Sequence, residues 1–492
     1  MSKRDDRHRD IAAKPPTVGE PSRREFVKRG ALAGAGLAAG TAVPGAATPA
    51  AAQEACETQN PYGPRPGGGI SLPDYYRPWP AIKNRNFYAP GTETLPKNEM
   101  RISFMGSTPF PVSQEQSGTC MLVELGNGTG MPRRFFFDLG GGSIRNVIAM
   151  QVPIALVNDI FISHLHVDHY ADLPLTYAFR AFLGGFTPLR IYGPSGRTPE
   201  LGTKAMIQGL KDMTRWHTEN FNAGPIGDGF ELEVTEFDWT ERNGICYEKD
   251  GVTVRHWPRS HVKDGASAYR LDWEEAGLSF VWTGDGRPDV LSAEYGKGAD
   301  VFVSEGTIDT PFLSGLKVGA PAELWEYTID IYHTLYYASG YLFNQVQPRM
   351  AVINHYESGG PALHTESVAE VRAHFKGLFQ FGGPDVQVIN VTKDSIWSRE
   401  AAMPKNAAPA SMDPRWFMPP GTPLADLPET MSMPTPRLPR EAQQEQWVRD
   451  LEIDPDLYWP PDAKRPLTQK WPNITLNPRE MLKARGIEVP DK

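Results

Sequence analysis

The chain has 492 residues, of which 40% are hydrophobic and 22% are charged. This length fits one large domain with extensions, or two or three ordinary domains, and the composition excludes a chain that is disordered overall. The net charge is −9 and becomes −13 without residues 1–52, which hold nine Lys or Arg and five Asp or Glu. Such an acidic chain argues against broad electrostatic capture of nucleic acid. Three cysteines are too few for a disulfide scaffold.

The beginning of the chain has the pattern of an export signal. The pair Arg23-Arg24 precedes a weakly apolar Ala/Gly stretch, which resembles a twin-arginine signal with a cleavage site after Ala52. We therefore expect residues 1–52 to be a signal peptide for the twin-arginine export machinery, and the mature protein to be periplasmic or secreted. Stable membrane insertion is not expected, because the stretch is only marginally apolar and Pro44 interrupts it.

After the predicted signal, the residue composition and pattern of the chain change at about residue 99. Residues 53–98 are rich in Pro, Gly, Asn and Tyr and show no period, so they are predicted to form an irregular lead-in. Residues 99–400 alternate short apolar stretches with longer helix-like segments, which favours a layered α/β domain. Strands are predicted at 101–105, 120–125, 134–139 and 154–163. Helices are predicted at 198–216, 322–345 and 365–379.

The last segment, 401–492, holds 17 of the 46 prolines. So many prolines exclude a compact core of long helices or central strands. The segment also carries four tryptophans, which are Trp416, Trp447, Trp459 and Trp471. We interpret it as a Pro-rich extension that packs on the main domain.

The segment at 164–169 predicts a metal site. It reads His-Leu-His-Val-Asp-His and follows a mostly apolar strand. Alternate residues of an extended backbone point the same way, so His164 and His166 can bind one ion together. Asp168 and His169 come round to face a second ion as the chain turns into a helix. Imidazole and carboxylate ligands suit Zn²⁺ or a similar first-row ion.

This motif resembles that of the metallo-β-lactamase superfamily, and the resemblance extends from about Ile102 to Val391. It implies a four-layer αββα sandwich and two divalent ions, Zn²⁺ first, with Mn²⁺ or iron as alternatives. It also implies a buttressing role for Asp138. The implied metal ligands are His164, His166 and His261 for one ion, Asp168, His169 and His355 for the other, and Asp285 between them with a bridging hydroxide.

Two of the ligand positions have a competitor in the sequence. His256 lies five residues before His261, which is preferred because Ala-Tyr-Arg follows it at the family's spacing. His364 competes with His355 but lacks a preceding strand. His217 and His374 lie in helix-like segments and are interpreted as ordinary residues.

Several stretches are similar to the ribonuclease Z branch of this superfamily. Pro-Leu-Arg-Ile-Tyr-Gly-Pro at 188–194 is a close match, and Ser-Glu-Gly-Thr at 304–307 resembles that branch's His-Glu-Ala-Thr. The resemblance implies catalytic roles for Asp168, as acceptor of a proton, and for Glu305 and His333, as a pair that protonates the leaving group. Ser304 replaces the branch's histidine, and no clear basic arm for gripping tRNA is found, so tRNA processing is not expected.

The resulting hypothesis is a binuclear metal-dependent hydrolase acting on an ester of a small molecule, with a phosphodiester or a sulfate ester first. A lactone or carboxylic ester is the alternative substrate at the same site. The remaining alternatives are a non-hydrolytic metal- or ligand-binding protein and a di-iron redox enzyme on the same scaffold. A homodimer is expected by analogy alone.

Overall fold

A computed structural model describes residues 85–410, apart from 92, 110–111, 129–130, 222–225, 263, 309–318, 320, 358–359, 385 and 405–408. The predicted signal at 1–52, most of the lead-in and the extension beyond residue 410 therefore lie outside the described residues. Export, localisation and the packing of the extension stay predictions.

The first sheet has eight strands in the order β15-β14-β1-β2-β3-β4-β5-β6. Their bounds are β1 Met100–Gly106, β2 Cys120–Leu125, β3 Arg133–Phe137, β4 Asp159–Phe161, β5 Leu189–Pro194, β6 Leu232–Phe237, β14 Gln387–Val391 and β15 Ile396–Glu400. Strands β3 to β6 run parallel to one another, whereas β15, β14, β1, β2 and β3 pair in antiparallel fashion.

The second sheet has seven strands in the order β13-β12-β11-β10-β9-β8-β7. Their bounds are β7 Gly244–Lys249, β8 Val252–Pro258, β9 Ser267–Trp273, β10 Leu278–Trp282, β11 Val301–Ser304, β12 Met350–Ile353 and β13 Phe379–Phe381. Strands β10 to β13 are parallel, and β7 to β10 are antiparallel. Parallel strands need long crossovers, which here are made by helices.

Seven α-helices lie within the described residues. Their bounds are α1 Ser143–Ala149, α2 Leu173–Arg180, α3 Thr203–Phe221, α4 Val290–Tyr295, α5 Ala322–Tyr332, α6 Tyr336–Val346 and α7 Gly360–His374. In this part of the chain, no helix combines the length and the hydrophobicity needed to cross a bilayer.

Three clusters of buried hydrophobic side chains lie between the layers of helices and sheets. The central cluster joins the two sheets and contains Phe137 of β3 and Phe280 of β10, whose ring centroids are 5.0 Å apart. A second cluster packs α1, α2 and α3 on the outer face of the first sheet, with Ile160 and Leu210 buried in it. A third packs α6 and α7 on the second sheet around Phe302. The predicted helix–sheet–sheet–helix sandwich is confirmed for the described residues.

Part of the predicted lead-in is joined to the end of the domain. The amide of Tyr88 donates to the carbonyl of Glu400 over 2.9 Å, and Glu93 forms an ion pair of 2.7 Å with Arg399. The ring of Tyr88 lies 4.8 Å from the guanidinium of Arg101, which is itself bonded to Glu124. The segment before β1 thus covers the edge strand β15.

Two of the elements predicted from the sequence were wrong in detail. The apolar stretch at 154–163 is not one strand, because a 3₁₀ turn at Ile154–Leu156 precedes the three-residue strand β4. The helix predicted at 322–345 is two helices, α5 and α6, separated at His333. The chain is extended there because Leu335 pairs with Thr307 in an isolated β-bridge. This break gives His333 a position that a continuous helix would not provide.

Candidate metal centre

The predicted site residues follow the carboxyl ends of strands. Parallel β3 and β4 lead into Asp138 and the segment at 164–169, while parallel β10, β11 and β12 lead into Asp285, Glu305 and His355. His261 follows β8 after a short turn. Carboxyl ends of parallel strands lie at the same edge of a sheet, which is where α/β proteins commonly bind ligands. The two sheets bring these edges together.

Three imidazole rings form the first group. Nε2 of His164 lies 3.0 Å from Nδ1 of His166, and Nε2 of His261 lies 3.1 Å from the same nitrogen. Nδ1 of His261 donates to the carbonyl of Tyr332 over 2.8 Å, which leaves Nε2 free to face the other rings. His166 is exposed, so the group is open to solvent on one side.

The second group consists of Asp168, His169 and His355. Oδ2 of Asp168 lies 3.5 Å from Nε2 of His169 and 3.3 Å from Nε2 of His355. The His169 and His355 rings are stacked with centroids 5.0 Å apart. His169 is fully buried, whereas the side chain of Asp168 is 20% exposed.

Asp285 joins the two groups. Its Oδ2 lies 3.8 Å from Nε2 of His164 and 3.9 Å from Nε2 of His261. The same oxygen lies 3.4 Å from Nε2 of His169 and 3.1 Å from Nε2 of His355. One buried carboxylate oxygen therefore faces four imidazole nitrogens drawn from both groups.

Glycines on both sides hold Asp285 in this position. Gly284 has φ of +61°, and a Cβ there would lie 2.7 Å from the carbonyl oxygen of Ser267. Gly286 has φ of +146°, and a Cβ there would lie 2.9 Å from the carbonyl oxygen of Ser260. Both conformations favour glycine, so the Gly-Asp-Gly sequence is what lets the chain turn this closely against its neighbours.

Asp138 supports the centre from behind, as the sequence resemblance implied. Its fully buried carboxylate accepts hydrogen bonds from the amide and hydroxyl of Ser163 at 2.7 and 2.9 Å. It also accepts from Nδ1 of His169 at 2.9 Å and from Nε1 of Trp282 at 2.8 Å. Trp282 belongs to the second sheet, so one carboxylate connects both sheets to a predicted metal ligand. Such a partner fixes the tautomer and the orientation of the imidazole.

Asp138 and His355 both have left-handed backbone conformations, with φ of 59° and 51°. Positive φ is uncommon for residues other than glycine and persists where the surrounding structure holds it. At His355 the backbone is held because the carbonyl accepts from Gly306 and the next amide, of Tyr356, donates to Ser107 at 2.9 Å. The strained backbone is therefore found at His355, which belongs to the second group, and at Asp138, which is hydrogen-bonded to His169 of that group.

Glu305 and His333 form a pair beside the second group. Oε2 of Glu305 accepts from Nδ1 of His333 over 2.6 Å, and Oε1 accepts from the amide of Gly286 over 2.5 Å. The His333 ring lies 5.0 Å from that of His261 and 5.9 Å from that of His355. Ligand atoms of Asp285, Glu305, His333 and His355 all lie within 4.8 Å of one another, so this set also has the spacing of a metal site.

The donor atoms fit metal ions. Among the described residues, Nε2 of His169 and Oδ1 of Asp285 are buried without a hydrogen-bond partner. Burial lowers the pKa of His164 well below its usual range, which favours the neutral form that a ligand needs. Burial also opposes protonation of His169, but Asp285 and Asp168 raise its pKa well above the usual range. The same carboxylates would attract a divalent cation, so this His/Asp cluster can hold metal ions.

The competing histidines lie elsewhere. His256 is buried in β8, its ring packs against Phe237 with centroids 3.8 Å apart at 31°, and its Nε2 lies 3.5 Å from Glu241. The His364 ring packs 4.7 Å from Phe381. His217 bonds to the carbonyl of Ala178, and His374 packs against tyrosines of α6. All seven predicted ligands, in contrast, come together, although their roles as ligands stay predictions.

Three contacts at the centre were missed by the sequence reasoning. They are the indole of Trp282 on Asp138, the amide of Gly286 on Glu305 and the carbonyl of Tyr332 on His261. Two of the three are backbone groups, which carry no residue signal. Trp282 precedes the Thr-Gly-Asp-Gly turn by one residue, but nothing in the sequence pairs it with Asp138.

No family model matches the chain. It is 27% identical over 173 residues to ribonuclease BN of Proteus mirabilis strain HI4320, a match that covers 35% of this chain and 50% of that protein. It is 27% identical over 238 residues to ribonuclease BN of Salmonella paratyphi B, covering 43% of this chain and 77% of that protein. The match thus spans half the length of the first of these curated relatives.

Solved structures also align with the chain. The metallo-β-lactamase fold protein YhfI from Bacillus subtilis aligns with a TM-score of 0.42 and 16% identity, covering 61% of this chain and 99% of that protein. The two sheets with helices on their outer faces, described above, are the architecture that the sequence resemblance implied.

Proposed function

We propose that this protein is a metal-dependent hydrolase acting on ester bonds. The observation that carries the proposal is the position of Oδ2 of Asp285, between 3.1 and 3.9 Å from four imidazole nitrogens of two ligand groups. A carboxylate placed in this way can bridge two cations. Paired metal sites of this kind serve hydrolytic displacement at phosphorus and related centres.

Each group would hold one ion, and Asp285 would contact both. His164, His166 and His261 offer three nitrogens to one ion. Asp168, His169 and His355 offer one oxygen and two nitrogens to the other. Metal ions bound there would lower the pKa of a water toward neutrality and would stabilise negative charge on the reacting oxygens.

The chain's own groups would move the protons. Asp168 is partly exposed and bonded to His355, so its carboxylate is placed to accept the proton of the attacking water. The water oxygen forms a bond to phosphorus as the bond to the leaving oxygen breaks. Glu305 occupies Nδ1 of His333, which leaves Nε2 to give a proton to the leaving oxygen.

The proposed substrate is a small phosphodiester, with sulfate esters next. The name of the curated relatives, ribonuclease BN, supports chemistry at a phosphodiester. The net charge of −13 outside residues 1–52 supports a small molecule instead of a long polyanion.

The test is a metal analysis combined with a substrate panel. Purified protein should contain two divalent ions per chain and should hydrolyse bis-p-nitrophenyl phosphate faster than p-nitrophenyl sulfate or a lactone. Chelation should abolish turnover, and added Zn²⁺ or Mn²⁺ should restore it. Metal-loaded protein that hydrolyses none of these esters, or an iron pair with an oxygen-dependent optical signal, would contradict the proposal.

We also propose that the twin-arginine pattern directs export of the folded, metal-loaded chain, which is then periplasmic or secreted. The paired Arg23-Arg24 supports this proposal. Replacing both by lysine should retain the full-length chain inside the cell. Export that is unaffected by the double substitution would argue against it.

A further inference from the structure

Helix α5 exposes large side chains next to the metal centre. Leu324 and Tyr327 are each 57% exposed, and residues three apart lie on the same side of a helix. Ile329 of the same helix is buried, with 2% exposure, so α5 is anchored by another face. Exposed aromatic and aliphatic side chains that occur together mark binding surfaces more often than isolated ones do.

Tyr327 is coupled to Tyr332, the last residue of α5. Their hydroxyl oxygens lie 2.9 Å apart, and their rings meet edge to face with centroids 5.6 Å apart at 81°. The two rings are therefore held in a defined relative orientation at the surface. Tyrosine pairs of this kind offer a large, stiff contact area at a low cost in conformational entropy.

Tyr332 lies directly against the proposed first metal group. Its carbonyl accepts the 2.8 Å hydrogen bond from Nδ1 of His261, and its ring centroid is 6.2 Å from the His261 ring. The residue that follows is His333, whose ring is 5.0 Å from that of His261. The tyrosine pair is thus continuous with the side of the centre at which the leaving group would depart.

The end of α5 is hydrogen-bonded to the turn that carries Asp285. The amide of His333 donates to Ile329 at 3.1 Å, and the hydroxyl of Thr334 donates to the carbonyl of Gly286 at 2.6 Å. Gly286 follows Asp285, so the backbone directly after Tyr332 is bonded to the turn that carries the shared carboxylate. A binding wall held in place by the same contacts as the reacting groups is preorganised.

We propose that Tyr327 and Tyr332 form a specificity wall that binds a planar aromatic group of the substrate, on the leaving-group side of the metal centre. This inference rests on the proposed hydrolase function and adds the substrate class, an aryl ester. An aromatic ring can pack against the two tyrosine rings in the offset or edge-to-face arrangements that such rings favour. A methyl or ethyl ester reaches less of this wall and is bound less tightly.

The test measures affinity apart from turnover. Phenylphosphonate and methylphosphonate carry the same anion with and without an aryl group, and their dissociation constants for the metal-loaded full chain can be measured by calorimetry. The wild type should bind phenylphosphonate more tightly than methylphosphonate. In the double variant Tyr327→Ala/Tyr332→Ala the ratio of the two dissociation constants should fall about tenfold. The double variant with Phe at both positions should retain most of it, because the rings remain.

The matched control is Tyr341→Ala. Tyr341 is 55% exposed on α6 and packs against His374, so its removal takes away an equally exposed tyrosine outside the wall. The control should keep the full preference. All variants should keep wild-type metal content, since the backbone carbonyl of Tyr332 that holds His261 remains.

Three outcomes would overturn the inference. They are an unchanged preference in the double Ala variant, an equal loss in the control, and a fall in thermal stability with the preference intact, which would mean that the rings pack against the chain's own segments. Failure of the proposed function looks different, because the wild type would then bind metal and phosphonates but hydrolyse no ester.

Discussion

Replacing Asp138 by Asn should weaken both the fold and the metal centre. The carboxylate is fully buried and accepts four hydrogen bonds, with Oδ1 taking the amide of Ser163 and Oδ2 taking Ser163, His169 and Trp282. An asparagine can present its oxygen on one side only. Its amide group then faces a buried N–H donor, whichever way the side chain is turned.

The magnitude follows from these contacts. Leaving one buried donor unpaired costs about 1–3 kcal/mol, and the remaining bonds lose the strengthening that an ionised acceptor provides. We expect the free energy of unfolding of the metal-free Asp138→Asn protein, measured in chelator, to be roughly 3 kcal/mol lower than that of the metal-free wild type. Because His169 loses its orienting partner, metal affinity should fall by about 10–100-fold.

The assay is denaturant unfolding in chelator, followed by competition with a chromophoric chelator for metal affinity. The matched control is Asp159→Asn. Asp159 lies on β4 and is also buried, but its carboxylate pairs with Arg190 at 2.7 Å instead of a predicted ligand. The control should lose stability and keep wild-type metal affinity. A normal metal affinity in Asp138→Asn, alongside lost stability, would refute the positioning role given to Asp138.

Three further predictions concern single histidines. His166→Ala should lose bound metal and most turnover, since one of three nitrogens is removed; retention of both metal and rate would contradict the ligand assignment. His333→Gln should lower kcat by about 10²–10⁴ at unchanged metal content, because the proton donor held by Glu305 is gone; loss of metal would make His333 a ligand instead. Burial lowers the pKa of His256 to about 4, below the value of roughly 6.5 in the unfolded chain. The neutral imidazole of His256 therefore stabilises the fold above pH 6.5, and this contribution is lost as the pH falls toward 4. His256→Phe, which keeps a ring against Phe237, should therefore lose less stability than the wild type over that interval in unfolding curves, and equal acid sensitivity would argue against this origin.

The local part of the site could be predicted from the sequence. Four ligand-type residues within 164–169 follow an apolar strand, and the spacing alone brings His164 and His166 to one side. The remote residues could be named only through the family resemblance. Asp285, Glu305 and His355 meet because β10, β11 and β12 are parallel neighbours, and a single sequence does not reveal strand order.

The break at His333 shows what the sequence could not supply. The stretch at 322–345 has a continuous helical pattern, and local propensity favours one helix. The chain leaves the helix there because Thr334 bonds to Gly286 and Leu335 pairs with Thr307. These are contacts with segments distant in sequence, and such tertiary interactions regularly override propensity. The position of His333 beside Glu305 depends on them.

The most direct measurement of the central claim is anomalous diffraction from crystals of the metal-loaded protein, collected at the absorption edge of the bound metal. Two peaks should appear, one about 2.0–2.2 Å from nitrogens of His164, His166 and His261 and the other at a similar distance from Asp168, His169 and His355. Both should contact Asp285. A single peak, or a pair of peaks away from Asp285, would contradict the account.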